Sequence, residues 1–279
     1  MSTRTGDKAA LVRRSPRRDP LAVGLGLFTG LLILFIVAPI LVVVAVSFSS
    51  ATFIAFPIES LSLRWYNRIF EYRPFIDSLI VSLHLAVASA VLGALVSVPA
   101  ALAIARSETR GATALAAFLL APLSIPAIVL GFGLLYFLSA LALGVSFTSL
   151  LIAHTIIAVP YISRTVLSVY RGLSPDLEES AAVLGANRWQ VFRHVTLPLI
   201  RPGIFAGGLF ALLISLDNLP ISFFFGSSAT NTLPVVMLSY LQNQFDPSIA
   251  AISTVQMLIA IAVLVVVDRV YGIDRLNTA

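Results

Sequence analysis

Residues 172–202 read GLSPDLEESAAVLGANRWQVFRHVTLPLIRP, and their alternation of helix-starting and helix-ending residues decides how the rest of the chain is read. The segment is too polar to enter lipid and too regularly patterned for a plain linker. Ser174 is a good N-cap, Pro175 suits the first helical position, and Asp176, Glu178 and Glu179 favour the positive end of the helix dipole. Gly185 can end that helix in a left-handed conformation. Asn187 then starts a second short helix, with Gln190 three residues on, as in a capping box. On a helical wheel Leu177, Ala181 and Leu184 share one stripe, while Glu179 points away from it. One face can therefore rest on a helical bundle, and the other, with Glu179, is open to a partner protein.

On both sides of this loop the chain turns apolar. Of 279 residues 58% are hydrophobic and 11% charged, against about 25% charged in soluble domains. A bilayer core about 30 Å thick needs roughly 20 apolar helical residues, because the backbone must satisfy its own hydrogen bonds in lipid. Six stretches qualify, at about residues 21–46, 75–104, 113–138, 148–170, 203–225 and 249–267. The first is too long for a signal-peptide core and has no obvious small-residue cleavage site, so it reads as a retained span. The expected fold is all-α: a polytopic membrane protein of six transmembrane helices.

Orientation follows from the rule that Lys and Arg accumulate on the cytoplasmic side. Of the 18 Lys and Arg residues only Arg64, Arg68 and Arg73 fall opposite the 172–202 loop. Both termini and the loop are therefore expected in the cytoplasm, with residues 1–20 a polar, Arg-rich cytoplasmic tail and 21–279 the membrane domain. The net charge of +5 is topological and does not indicate a nucleic-acid partner. With no cysteine, disulfide and thiolate chemistry are excluded.

Pro39, Pro99, Pro122, Pro126 and Pro160 interrupt the apolar stretches, and Gly131-Phe132-Gly133 adds a flexible point to the third. Two readings are open: kinks that help a bundle pack, or discontinuous helices that line a cavity.

Within the loop, Glu179-Ser180-Ala181, three residues, Gly185, nine residues, and Val195-Thr196-Leu197-Pro198 resemble the EAA loop of ATP-binding cassette (ABC) importer permeases. Ser180 stands where that pattern has alanine, and Val195 where it has isoleucine. The resemblance implies the type I (MetI-like) permease fold from about residue 75 onward, with the first span added ahead of it. It also implies that Glu179, Ser180, Ala181, Gly185, Leu197 and Pro198 couple the chain to a cytoplasmic ATPase. The implied partners are an ABC ATPase dimer, a second permease subunit, an external solute-binding protein and a small-molecule substrate. The implied location is a bacterial inner membrane.

In the fifth span, Ser215, Asp217, Asn218 and Phe223 are candidates for the substrate pathway. Counting about 1.5 Å per residue from Gly203 places Asp217 roughly 20 Å above the cytoplasmic end. A carboxylate at that depth costs about 2.5–3.5 kcal/mol on insertion scales and usually faces a wet cavity or a partner. Its surroundings resemble the spermidine/putrescine branch of these permeases, as does 245–251, FDPSIAA. Asn218 stands where members of that branch often carry a second acid. The same machinery importing iron(III), thiamine or 2-aminoethylphosphonate is the alternative. Phe223, Phe224 and Tyr240 could stack on an alkylammonium or pack at the membrane interface. His84 and His154 each stand alone in a span and read as packed, hydrogen-bonded histidines without metal-ligand spacing. The sequence lacks a Gly-Lys-Ser/Thr phosphate loop and a Gly-x-Ser-x-Gly elbow, so no catalytic residue or cofactor is expected, and ATP is expected on a partner subunit.

Overall fold

The computed structural model describes residues 20–107 and 109–271, which are helical apart from loops and one isolated bridge between Ser49 and Leu61. In chain order the helices are α1 (Pro20–Ser47), α2 (Arg64–Glu71), α3 (Arg73–Ala105), α4 (Arg110–Leu120), α5 (Ala127–Ala140), α6 (Phe147–Arg171), α7 (Asp176–Val183), α8 (Arg188–Val191), α9 (Leu197–Leu216), α10 (Leu219–Ser222), α11 (Leu233–Asn243) and α12 (Ser248–Tyr271). Among the described residues five helical segments are long and apolar enough to cross a membrane, and α4 with α5 makes a sixth if that bent pair is one span. Of the expected tail, residues 1–19 lie outside the described residues.

α3, α6 and α9 form the centre of the bundle around Ala101, Ile162, Val166, Tyr170, Ile200 and Ala211. Lipid tails are as apolar as leucine, so helices associate in a membrane where small residues let them pack closely. α3 accordingly buries Ser82, Ser89, Gly93 and Ser97. The Ser97 hydroxyl donates to the Val159 carbonyl at 3.1 Å. On α9, Gly203 and Gly207 face α6, and a Cβ on Gly207 would lie 2.7 Å from Ile162 Cα and 2.2 Å from Thr165 Oγ1. That four-residue spacing of glycines is legible in the sequence, and its meaning is the contact. By contrast α1 lies along α12 and buries none of its apolar window, as suits a helix facing hydrocarbon.

Two spans depart from expectation. The third is not one helix: α4 and α5 meet at 110° across a tight turn, Ala121–Ser124. Pro122 and Pro126 cause this, since each removes a donor and clashes with the preceding turn, and Ile125, held extended before Pro126, cannot continue a helix. Pro39, Pro99 and Pro160 sit inside continuous helices. Gly131 is no flexible point, because α5 runs through it. The glycine instead admits α10, whose Ile221 Cα would be 3.1 Å from a Cβ there.

The fifth span starts earlier and stops sooner than expected. The helix that Asn187 caps is not a separate short element but runs through a π turn, Phe192–Thr196, into α9 and ends at Leu216. In the π turn the Leu197 N–H bonds to the Phe192 carbonyl, which widens the helix just ahead of Pro198, whose ring would crowd a regular turn.

Candidate functional site: the coupling loop and the break in span five

Local hydrogen bonds shape the loop. The Ser174 hydroxyl accepts the Asp176 N–H at 3.3 Å just ahead of α7, whose N-cap is Pro175, one residue later than the sequence suggests. Gly185 takes φ +90°, a conformation that strains any residue with a Cβ. The turn closes with the Ala186 N–H on the Ala181 carbonyl at 3.1 Å and the Gly185 N–H on the Ala182 carbonyl at 3.0 Å, the paired bonds of a Schellman end. Asn187 Oδ1 accepts the Gln190 N–H at 2.9 Å, and Gln190 Oε1 accepts the Asn187 N–H at 2.8 Å. These reciprocal bonds complete the capping box.

The faces are distributed differently from the helical-wheel expectation. α7 buries none of its residues. Leu184 is 88% exposed and Val183 87%, with Leu177 and Trp189 also exposed. Of the expected stripe, Leu177 and Leu184 therefore face outward, as does Glu179, while Ala181 is half-buried. What ties α7 inward is Glu178, read from sequence only as a dipole-favouring acid. Its carboxylate accepts from the Tyr170 hydroxyl and from Thr196 Oγ1, and pairs with Arg106 at 3.2 Å. Of the sequence candidates, Glu179, Ser180, Ala181 and Gly185 lie together on α7 and its turn. Leu197 and Pro198 instead stand at the foot of α9, where Leu197 packs against the central core.

At the other end of α9, Asp217 is the C-cap residue, exposed and, among the described residues, without an ion-pair partner. The 20 residues of α9 rise about 30 Å, so Asp217 stands roughly one hydrocarbon thickness above the foot of the helix. Asn218 is the N-cap of α10, its Oδ1 accepting the Ile221 N–H at 3.0 Å. Ser215 turns away from any open path: it is buried, and its hydroxyl meets His154 Nδ1 at 2.8 Å. His154 Nε2 meets the Ser222 hydroxyl at 3.0 Å, so one buried imidazole holds both sides of the break. Phe223 is exposed, with Phe224 edge-on at 5.9 Å. Tyr240 is core, packed on Tyr72 and Phe75, and donates to Asp246 at 2.8 Å. Asp246 in turn accepts the Ser248 N–H at 2.9 Å and so caps α12.

The two interrupted spans meet. A cavity of about 160 Å³ is lined by Pro122, Leu123, Ile125, Ala127 and Leu130 from the bend between α4 and α5, by Ile157 and Tyr161 of α6, and by Ile214 and Asn218 at the end of α9. Non-helical backbone at membrane depth is tolerated where it is buried in protein or lines such a cavity. Of the two readings of the prolines, the discontinuous one applies to the third span. In the fifth, the break comes three residues before Pro220.

A helical bundle of membrane spans, a cavity where two of them break, and a protruding loop with an unpartnered apolar face define a transport permease subunit rather than an enzyme. The chain belongs to the binding-protein-dependent transport system inner membrane component family, whose model matches residues 93–273. It is therefore a multi-pass inner-membrane permease subunit of an ABC transporter. It is 29% identical to the spermidine/putrescine transport system permease protein PotC of Haemophilus influenzae over 83% of this chain and 90% of that one. It is 33% identical to the molybdenum transport system permease protein ModB of Mycobacterium bovis over 77% of this chain and 87% of that one. Its fold matches a chain of a bacterial ABC transporter that imports the acidic polysaccharide alginate, with TM-score 0.70 and 18% identity over 92% of this chain and 99% of that one.

Proposed function

We propose that this permease imports a small cationic solute, a polyamine such as spermidine or putrescine. The observation that carries the reading is Asp217, an exposed carboxylate at the break in span five, beside Asn218, which lines the cavity between the two broken spans. A cation leaving water needs negative charge and oxygen acceptors along its route, and Asp217, Asn218 and Tyr161 supply both. Phe223, exposed just past the break, offers an aromatic face to an alkylammonium group. The likeness to PotC supports the same class.

The likeness to ModB favours a second reading, an oxyanion cargo. Oxyanions are held by arginines and by helix N-termini. The residues lining the cavity carry no charge of either sign, so it is the exposed carboxylate of Asp217, next to Asn218, that weighs for the cation.

Energy comes to the permease through residues 172–202. Val183, Leu184 and Trp189 form an exposed apolar patch of the kind a protein partner covers, and Glu179 beside it can pair with a basic group on a cytoplasmic ATPase. A second permease subunit and an external solute-binding protein complete the assembly, with both termini in the cytoplasm.

The test is uptake of labelled putrescine, spermidine and molybdate into proteoliposomes holding the full complex, with ATP inside and the binding protein outside. ATP-dependent putrescine or spermidine uptake that falls about tenfold in Asp217→Asn, a loss of roughly 1.4 kcal/mol, supports the reading. Uptake of molybdate alone would sink it.

A further inference from the structure

We propose that Glu178 is the mechanical joint through which movement of α7 reaches the membrane bundle. This rests on the reading of 172–202 as the ATPase-coupling loop and adds which atoms carry the movement inward. Among the described residues, every side-chain hydrogen bond or ion pair between α7 and the bundle ends on this carboxylate. No residue of α7 is buried, and besides Glu178 only Ala181 is half-buried, so apolar packing adds little to the attachment.

The partners of Glu178 come from three different helices. Arg106 is the C-cap residue of α3, and its guanidinium lies 3.2 Å from the carboxylate. Tyr170 lies in the last turn of α6 and reaches both carboxylate oxygens at 3.0 Å. Thr196, buried, closes the π turn at the foot of α9. The partners also bind one another: Arg106 Nε donates to the Tyr170 hydroxyl at 3.0 Å, and its guanidinium stacks over the Tyr170 ring at 4.8 Å. α3, α6 and α9 are the central packed helices, with Tyr170 and Ile200 in their shared core.

Geometry explains why a carboxylate suits this position. A planar acceptor with two oxygens can take donors from three directions at once, and charge-assisted bonds are roughly twice as strong as neutral ones. The node is half-buried, with side-chain exposure of 32% for Arg106 and 23% for Glu178, so the ion pair is less screened than a surface pair. Bonds to directional donors also resist sliding in a way that an apolar contact does not. A tilt of α7 therefore pulls on three helix ends together, among them the foot of α9, whose far end forms the break at Asp217. Glu179, one residue on, points outward, so adjacent acids divide the work: one faces the partner and the other holds the bundle.

The chain has no cysteine, so introduced thiols give clean probes. The first measurement places spin labels at Ala182→Cys on α7, which is not part of the exposed apolar patch, and Ser168→Cys on α6, both exposed, and reads the width of the distance distribution. The second reads maleimide labelling of Leu123→Cys, which lines the cavity, in the permease–ATPase complex with and without ATP and vanadate. In Glu178→Gln, isosteric and uncharged, the distribution widens and the ATP-dependent change in labelling rate shrinks by about tenfold, while the ATPase still copurifies. Arg106→Lys, which keeps charge but loses the stacked fork, gives the same effects more weakly.

An unchanged distribution in both Glu178→Gln and Glu178→Ala overturns the joint. So does a widened distribution with an intact ATP-dependent labelling change, because α7 would then be held by Glu178 without driving the cavity through it. Failure of the unsubstituted chain to retain an ATPase would instead remove the coupling reading beneath the proposal, an outcome separate from the spin-label widths.

Discussion

The two ends of span five handle an interruption in opposite ways. At its foot the helix from Asn187 runs through residues that ought to stop it, widening into a π turn just ahead of Pro198 and carrying Pro202 inside α9. At its top it stops at Leu216, before any proline, and restarts as α10 three residues later. In this span, unlike the third, proline content therefore does not decide where the helix ends. What decides is whether the freed backbone and side-chain groups find partners. At the top they do: Asn218 caps α10, Gln256 donates to the Leu216 carbonyl at 3.3 Å, and His154 bridges Ser215 and Ser222. The foot is built from contacts between near neighbours in the chain, plus the single long-range carboxylate of Glu178. The top adds to its local caps side-chain bonds across the bundle from His154 and Gln256.

The strongest way to break this contrast is to strike the middle, which serves both ends. Gly207→Leu forces a side chain into the backbone of α6, where Cβ alone would be 2.7 Å from Ile162 Cα. Overpacking costs about 1–3 kcal/mol, occasionally more, and here the obstacle is backbone, so the upper end applies. A fall in the thermal unfolding midpoint of the purified chain, larger than for Gly208→Leu, checks it, since Gly208 has open space at its Cβ. Next comes the top alone. His154→Ala leaves the buried hydroxyls of Ser215 and Ser222 without this partner, at about 1–3 kcal/mol for each one orphaned. The expected result is a lower midpoint and faster maleimide labelling of Leu123→Cys, with copurification of the ATPase unchanged. Loss of the ATPase in that variant would mean that the two ends are not separately built.

What the sequence shows follows the same division. The turn at Gly185, the Asn187–Gln190 capping box and the acids of the first turn of α7 depend on residues two to five apart, and the sequence displays them. The apolar stretches mark all six segments, because hydrocarbon imposes length and composition on each one independently. The break at Asp217, the turning of Ser215 toward His154, the packing role of Gly131 and the capping role of Asp246 depend on residues on other elements or on local geometry that no periodicity encodes. Glu178 and Glu179 illustrate the boundary. The helical wheel places Glu179 away from the apolar stripe but assigns Glu178 no role, and only its partners Arg106, Tyr170 and Thr196 on other elements reveal one. The apolar stripe of α7 was visible as well, but amphipathicity states that a face needs covering and not by what.

A smaller effect sharpens the local character of the foot. Asn187→Ala removes one half of the reciprocal cap on α8, at about 0.5–2 kcal/mol. Because α8 continues into α9, the loss frays the first turn and spares the span. Hydrogen exchange is expected to rise at the Gln190 and Val191 amides, while residues around Asn218 keep their protection. Spread of the exchange to the top of the span would show that the ends are coupled more tightly than their contacts imply.

The smallest expected change in stability is at Glu179, and there the contrast becomes functional. The side chain is exposed, with no hydrogen bond or ion pair given to it among the described residues, so Glu179→Ala should move the unfolding free energy by no more than about 0.5 kcal/mol. Glu178→Ala, one residue away, loses bonds to three helices and should lower stability measurably. If Glu179 pairs with a basic group on the ATPase, its removal weakens copurification in a salt-dependent way, and raised ionic strength reproduces the defect in the unsubstituted chain. Equal stability loss in the two variants would mean that the acids share the inward role. Intact ATPase binding and intact transport in Glu179→Ala would shift the docking contact to the exposed apolar patch of Val183, Leu184 and Trp189.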